Sequence, residues 1–175
     1  MPKILENARE KVIAEARRQL VKNGYAGMTI RSVAGACGLG VGTVYNYFES
    51  KDMLIASLML EDWQRALSSM RCGSDGEPMA VVRNVYAAIR DFSELYSKLF
   101  ADGSASAAYA GSFQVRHRQL LSQLSEILRP MCEHYGKSDS EFLPEFVAEA
   151  LLTWAVGGKS FEELGGILRF LFSDK

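Results

Sequence analysis

The sequence predicts an all-α protein, with an N-terminal three-helix helix-turn-helix module over residues 1–50 and a helical-bundle domain over residues 51–175. Three observations predict it. Apolar residues recur at spacings of three and four along most of the chain. No run alternates β-branched with polar residues, and only 4 prolines interrupt 175 positions. Finally, two short helical stretches meet at a glycine turn directly after a longer first helix.

Composition narrows the class. At 48% hydrophobic and 23% charged residues the chain has ordinary globular values, which exclude disorder and collagen-like structure. No apolar stretch is long enough for a membrane span. Met1 to Glu10 alternates apolar and charged residues and lacks the core of a signal peptide, which predicts a cytoplasmic protein. Cys37, Cys72 and Cys132 are far apart, with neither disulfide-framework nor zinc spacing, so no metal or cofactor is expected. Charge is uneven. Residues 1–51 carry 8 Lys and Arg against 4 Asp and Glu, whereas residues 52–175 carry 12 against 17. A basic first third on an acidic remainder suggests that one end meets a polyanion.

The first helix is expected over about Ile4 to Lys22, with Leu5, Ala8, Val12, Ala16 and Leu20 on one face. Asn23-Gly24 ends it, Gly24 being able to take a left-handed terminal position. Thr29 reads as the N-cap of a short helix to about Cys37, which Gly38 breaks. A second short helix follows from Gly40 or Val41 to about Tyr47. Ser50 caps the next, about Lys51 to Met70, whose stripe includes Ile55, Met59, Trp63, Ala66 and Met70. After the break at Cys72 to Pro78, apolar spacing from Val82 continues to about Phe100. Gly103 to Gly111 reads as a loop or short helix. Phe113 to Met131 resumes the pattern, with Pro130 a kink or early stop. Ser138 with Glu141 and Ser160 with Glu163 fit capping boxes for two last helices, separated by Gly157-Gly158.

The helix-turn-helix carries the function. Ala34 and Gly38 supply small residues where its two helices cross. Thr43, Tyr45, Asn46 and Tyr47 lie on the exposed face of the second helix, and Lys51 begins the next. Such a helix can read base edges in a major groove, while hydroxyls and lysines hold phosphates. Against this, Tyr45 and Tyr47 could pack the module onto its fourth helix, and Lys51 could be a solvated lysine.

The segment Ile30-Arg-Ser-Val-Ala-Gly-Ala-Cys-Gly-Leu-Gly-Val-Gly-Thr-Val-Tyr-Asn-Tyr-Phe-Glu-Ser-Lys-Asp-Met-Leu54 resembles the DNA-binding region of the TetR family of bacterial regulators. The similarity extends upstream through Val12, Ile13, Ala16 and Leu20 to Asn23-Gly24-Tyr25. The resemblance implies a homodimer, in most members a repressor, that binds a palindromic double-stranded DNA operator and is released by a small-molecule inducer. The C-terminal domain then serves ligand binding and dimerisation. Carried over by position, Arg31, Val41, Gly42, Thr43, Tyr45, Asn46, Tyr47 and Lys51 fall on DNA-facing sites, and Thr29 presents its backbone and cap to a phosphate. Departures are Gly40 where Ser or Thr is frequent, Val41 where many members carry a basic or polar residue, Cys37 for Ala, and Gln19 for Leu.

In the C-terminal body, Trp63, Tyr86, Phe92, Tyr96, Tyr109, Phe113 and His117 are candidate lining residues for a hydrophobic or planar ligand; each also fits plain core, and His117 a hydrogen-bonded structural histidine. The last two helices are apolar on more than one face. Phe146 and Trp154, with Phe161, Leu164, Leu168 and Phe172, are expected at a two-fold interface with a second subunit. Gly165-Gly166 would permit close helix approach. No catalytic residues are expected. Cys132 and His134 sit on diverging sides of a helix, and the chain has no phosphate-binding loop and no Ser-His-Asp signature. The rival to a regulator is a helical ligand-binding or adaptor protein without operator recognition.

Overall fold

A computed structural model describes residues 7–72, 77–103, 113–137 and 140–172, with side chains for all but Cys72 and residues 113–115. Nine helices occur among the described residues: α1 (Ala8–Gly27), α2 (Ile30–Ala36), α3 (Val41–Tyr45), α4 (Lys51–Cys72), α5 (Pro78–Leu95), α6 (Ser97–Phe100), α7 (Phe113–His134), α8 (Phe142–Val156) and α9 (Phe161–Phe172). No strand is present among them. None of these helices is long and apolar enough to cross a membrane.

The chain divides into two compact units, Met1–Trp63 with Leu95–Ala110 and Gln64–Glu94 with Gly111–Lys175. This division does not follow the expected boundary at residue 50, because α4 contributes its first half to one unit and its second to the other.

In the first unit, α1 buries Ala8, Val12, Ala16 and Leu20 of the expected face and adds Ile13; Leu5, expected on the same face, lies outside the described residues. Gly24 bends the helix at φ 71°, ψ −177°, a conformation that a side chain would oppose, and a further turn reaches Gly27. The Thr29 side chain accepts from the Ser32 backbone N–H, and the Ser32 side chain accepts from that of Thr29, so α2 opens on a reciprocal capping box. It closes on a Schellman motif. The Gly38 N–H donates to the Gly35 carbonyl at 3.1 Å, and the Leu39 N–H to that of Ala34 at 2.9 Å. Gly38 takes the left-handed position at φ 69°. Ser50 caps α4 as expected, its hydroxyl accepting the Met53 N–H at 3.1 Å.

Along α4, Ile55, Trp63 and Met70 are buried together with Leu54, Leu58 and Leu67, while Met59 and Ala66 are half-buried. The helix expected to run to Phe100 is interrupted. Tyr96 leaves helical geometry at φ −102°, ψ 10°, and α6 begins after it. Burial of Tyr96, whose hydroxyl donates to Asp62, fixes the break. The Gly103 to Gly111 stretch lies outside the described residues beyond Gly103 itself.

In the second unit, α7 packs along α8, and α9 packs on α8. The core includes Val82, Val85, Ile89, Leu124, Leu128, Val147, Leu151 and Leu168. Pro130 does not stop α7. It removes one backbone bond, but burial of Met131 and Cys132 holds the last turn in place. Ser138 lies outside the described residues; the cap of α8 comes from Ser140, whose hydroxyl accepts the Leu143 N–H at 3.2 Å. The α8–α9 turn is held from several sides. The Tyr86 hydroxyl donates to the Lys159 carbonyl, and Trp154 Nε1 donates to that of Ser160 at 3.0 Å. The Lys159 ammonium lies 4.1 Å from the Trp154 ring centre, a cation–π contact.

The face that α9 turns outward differs from expectation. Phe161, Leu164, Leu168 and Phe172 are buried within the chain's own core. Phe146, expected at the interface, is exposed on α8 together with Phe142, at 68%, and Val156, while Trp154 is half-buried; on α9 the exposed apolar residues are Ile167, Phe170, at 84%, and Leu171. The periodicity located two apolar stripes, and the packing of α9 on α8 decided which one turns inward.

The Schellman turn gives a direct test. A Cβ at Gly38 would meet no atom within 4 Å, so only backbone strain opposes it. Gly38→Ala should cost about 1–2 kcal/mol in chemical denaturation, and Gly38→Asn less, because Asn tolerates the left-handed region.

Candidate nucleic-acid interface

Seven-residue α2 and five-residue α3 are held by what they bury. Ile30, Val33 and Ala34 of α2 and Val44 of α3 are inside, with Phe48 just beyond α3. The opposite side carries the candidate residues. Arg31, Gly42 and Asn46 are exposed, and Tyr45 is 50% exposed, so its ring is not packed into the core. Val41, Thr43 and Tyr47 are half-buried, with the Tyr47 ring centre 6.5 Å from that of Phe48. Thr29 is exposed at the capping box that opens α2.

Basic residues divide into engaged and available. Arg17 makes a two-pronged contact with Asp62, Nη2 to Oδ1 at 2.6 Å and Nε to Oδ2 at 3.0 Å. The Asp62 side chain is only 8% exposed and also accepts the Tyr96 hydroxyl at 2.5 Å. Arg9 pairs with Glu61 at 2.8 Å, and Arg18 pairs with Glu15 through bonds of 2.6 and 2.8 Å. Much of the positive charge of α1 is therefore matched by carboxylates, two of them on α4. Among the described residues of α1 to α3, Lys11, Lys22 and Arg31 have no carboxylate partner.

Lys51 is partly engaged as well. Its ammonium donates to the Tyr25 carbonyl and lies 3.8 Å from the Tyr25 ring centre. Burial lowers its pKa from the ordinary lysine value. The Tyr25 hydroxyl donates to Asp52 at 2.7 Å, and that bond, with burial second, pushes its pKa up to about 12. An ammonium has three N–H donors, so Lys51 can hold this joint and still face a phosphate. Sequence reasoning missed Tyr25, Asp62 and the role of Gln19. The available signal was a polar group on an apolar face, at Asp62 and Gln19. Cys37 is half-buried, its thiol donating to the Lys11 carbonyl at 3.5 Å, and burial raises its pKa and that of Cys132.

The candidate ligand-lining residues do not form one described group. Trp63 and Tyr96 are buried in the first unit. In the second, Tyr86 is buried, Phe92 is half-buried, and half-buried His117 faces Glu149 across α7 and α8, with Nε2 to Oε2 at 2.9 Å. Tyr109 and the Phe113 side chain lie outside the described residues.

Together, α1 to α3 form a helix-turn-helix module of the kind carried by DNA-binding regulators. The family model described as bacterial regulatory proteins, tetR family, matches residues 12–58, the segment that builds this surface. The HTH-type transcriptional regulator UidR of Escherichia coli K12 is 32% identical over 63 residues, 36% of this chain and 32% of that protein. The HTH-type transcriptional repressor DhaR of Mycobacterium sp. strain GP1 is 27% identical over 124 residues, 69% of this chain and 56% of that one. The matches thus span about a third to about half of the length of these relatives. Salmonella enterica GusR shares the fold with a TM-score of 0.67 at 22% identity, covering 90% of this chain and 83% of its own. A putative TetR-family regulator from Rhodococcus sp. does so at 0.67 and 16% identity, covering 97% and 100%. Residues 12–58 thus match the tetR family of bacterial regulatory proteins, and the two solved structures share the fold of the chain.

Glu15 supplies a pH test. Hydrogen bonds from Arg18 and then Gln19 lower its pKa from 4.5 to about 2. A carboxylate whose pKa is depressed by folding stabilises the fold above its unfolded value, and that stabilisation is lost as pH falls through the folded one. Thermal unfolding should show wild type losing more stability than Glu15→Gln between pH 4.5 and about 2.

Proposed function

We propose that the protein is a homodimeric transcriptional regulator, a repressor that binds a palindromic DNA operator through α2 and α3 and is released by a small molecule. One observation carries the reading. Exposed Tyr45 and Asn46, with half-buried Thr43, lie on α3 and its C-terminal cap, whose opposite side is anchored by buried Val44 and by Phe48 just beyond. A rigid helix with exposed hydrogen-bonding groups and no use for them in its own fold is suited to base edges. Exposed Arg31 is suited to the adjoining phosphate, and half-buried Val41 to apolar contact such as a thymine methyl.

Fluorescence-anisotropy titration against duplex DNA, from upstream of the gene and from a random-sequence pool, tests the reading across salt concentrations. Binding should be sequence-preferring and fall steeply with salt. Arg31→Ala should weaken all duplexes alike and reduce the salt slope by about 1, whereas Tyr45→Ala should cost selectivity. Salt-insensitive behaviour with no DNA preference would point instead to an adaptor or ligand-binding protein of the same fold.

The dimer rests on the outward apolar residues Phe142, Phe146, Ile167 and Phe170, which a second copy would cover by two-fold symmetry. Gly166 is exposed among them, and a Cβ there would meet nothing within 4 Å in the chain itself. Two recognition helices about 34–36 Å apart would meet successive major grooves, and a ligand favouring another spacing would release the operator. Phe146→Asp combined with Ile167→Asp should yield a folded monomer in sedimentation velocity, with sharply weakened operator binding. A dimer that persists would overturn this assignment of the interface.

A further inference from the structure

Among the described residues two non-aromatic polar residues are buried, Gln19 and Ser125. Ser125 bonds within its own helix, its hydroxyl donating to the Leu121 carbonyl at 2.7 Å. Gln19, at 6% exposure, uses both ends of its amide, and one of those bonds leaves the helix. Nε2 donates to Glu15 Oε1 at 2.7 Å. Oε1 accepts the Ser32 hydroxyl of α2 at 2.6 Å.

The chemistry of the partners orients this chain of bonds. The ionised Glu15 carboxylate, already held by Arg18, can only accept, so the amide N–H must face it. The amide carbonyl then faces Ser32 and draws its proton. The Ser32 oxygen is left to accept the Thr29 backbone N–H at 3.1 Å. Donors run one way, from Thr29 to Ser32 to Gln19 to Glu15, and bonds aligned in this manner polarise one another. The free end of the chain is the capping box of α2, one residue from exposed Arg31.

Resting on the DNA-binding reading above, we propose that Gln19 is a positioning residue for DNA recognition, tying the amino end of α2 to α1 so that Thr29 and Arg31 meet the duplex in one orientation. Stability alone does not account for it. The Glu15 carboxylate keeps both Arg18 bonds when the amide is replaced by an apolar side chain of similar volume, so little stability should be lost. The capping box would also survive, because the Ser32 hydroxyl has the Thr29 carbonyl at 2.9 Å as an alternative acceptor. What such a replacement removes is the hydrogen bond that joins the amino end of α2 to α1.

The test compares the wild-type chain with Gln19→Leu and Gln19→Glu. The probes are a duplex that wild type recovers from a random-sequence pool and an unrelated duplex of equal length. Gln19→Leu should melt close to the wild-type temperature, bind the selected duplex about five- to tenfold more weakly, and bind the unrelated one as wild type does. Gln19→Glu sets a second carboxylate against Glu15 and near Arg18. Relative to wild type at each pH, it should lose selective binding at about pH 7.5 and recover it towards about pH 5.5, where the introduced carboxyl takes a proton and again offers a donor and an acceptor. Equal selective binding by wild type and Gln19→Leu would overturn the proposal, as would a loss on both duplexes that follows the unfolded fraction. A wild type that selects no duplex would instead defeat the DNA-binding reading, and the positioning role with it.

Discussion

Helix α3 has five residues, a length that does not hold itself together in water, so the surface it presents exists only because other elements impose its shape. Those elements are few and local. A capping box starts α2, a Schellman turn at Gly38 ends it, and Val44 and Phe48 are drawn into the interior. Each acts on the backbone or on the buried side, and none uses the outward side chains. The fold and the candidate reading surface are thereby separated on one short helix. Thr43, Tyr45 and Asn46 can vary in chemistry while the frame stays the same.

The frame is joined to α4 by charge as well as by packing. Asp62, nearly buried, receives both the Arg17 guanidinium of α1 and the hydroxyl of Tyr96 at the break between α5 and α6. A carboxylate in that setting is held because its acceptors are filled by a fixed cation and a hydroxyl, whereas loss of either partner would leave charge poorly solvated. Lys51 and Tyr25 form a second such joint between the end of α1 and the start of α4. These pairings change the meaning of the basic N-terminal third. Its excess of Lys and Arg is genuine, but Arg9, Arg17 and Arg18 already face carboxylates. Positive charge left for a polyanion is smaller and more localised than a count suggests.

The second unit shows a related division. Its helices carry more apolar surface than one core absorbs. Leu164 and Leu168 meet the chain's own interior, while Ile167 and Phe170, one and two positions away, face outward. A helix apolar on two sides is expected to find two partners, and the outward side is the one available to a second copy.

Much of this was legible from residues alone. Three-four periodicity marks helices because side chains that far apart share a face, whatever they later pack against. Thr29, Gly38 and Ser50 announce caps and a turn because their effects are local to a few backbone bonds. The Gly-Thr-Val-Tyr-x-Tyr-Phe-x-Ser-Lys-Asp run carried the resemblance to the tetR family for the same reason, being one contiguous segment. Tertiary structure decided what depends on residues distant in sequence. It broke the helix at Tyr96 to reach Asp62, kept α7 intact through Pro130, and turned Phe161, Leu164, Leu168 and Phe172 inward. It also paired α1 arginines with acids 45 to 52 positions away and drew Gln19 to Ser32 across α1 and α2. A sequence specifies local backbone preference directly, whereas the partner of a charge or of an apolar face is settled only when separate segments compete for the same interior.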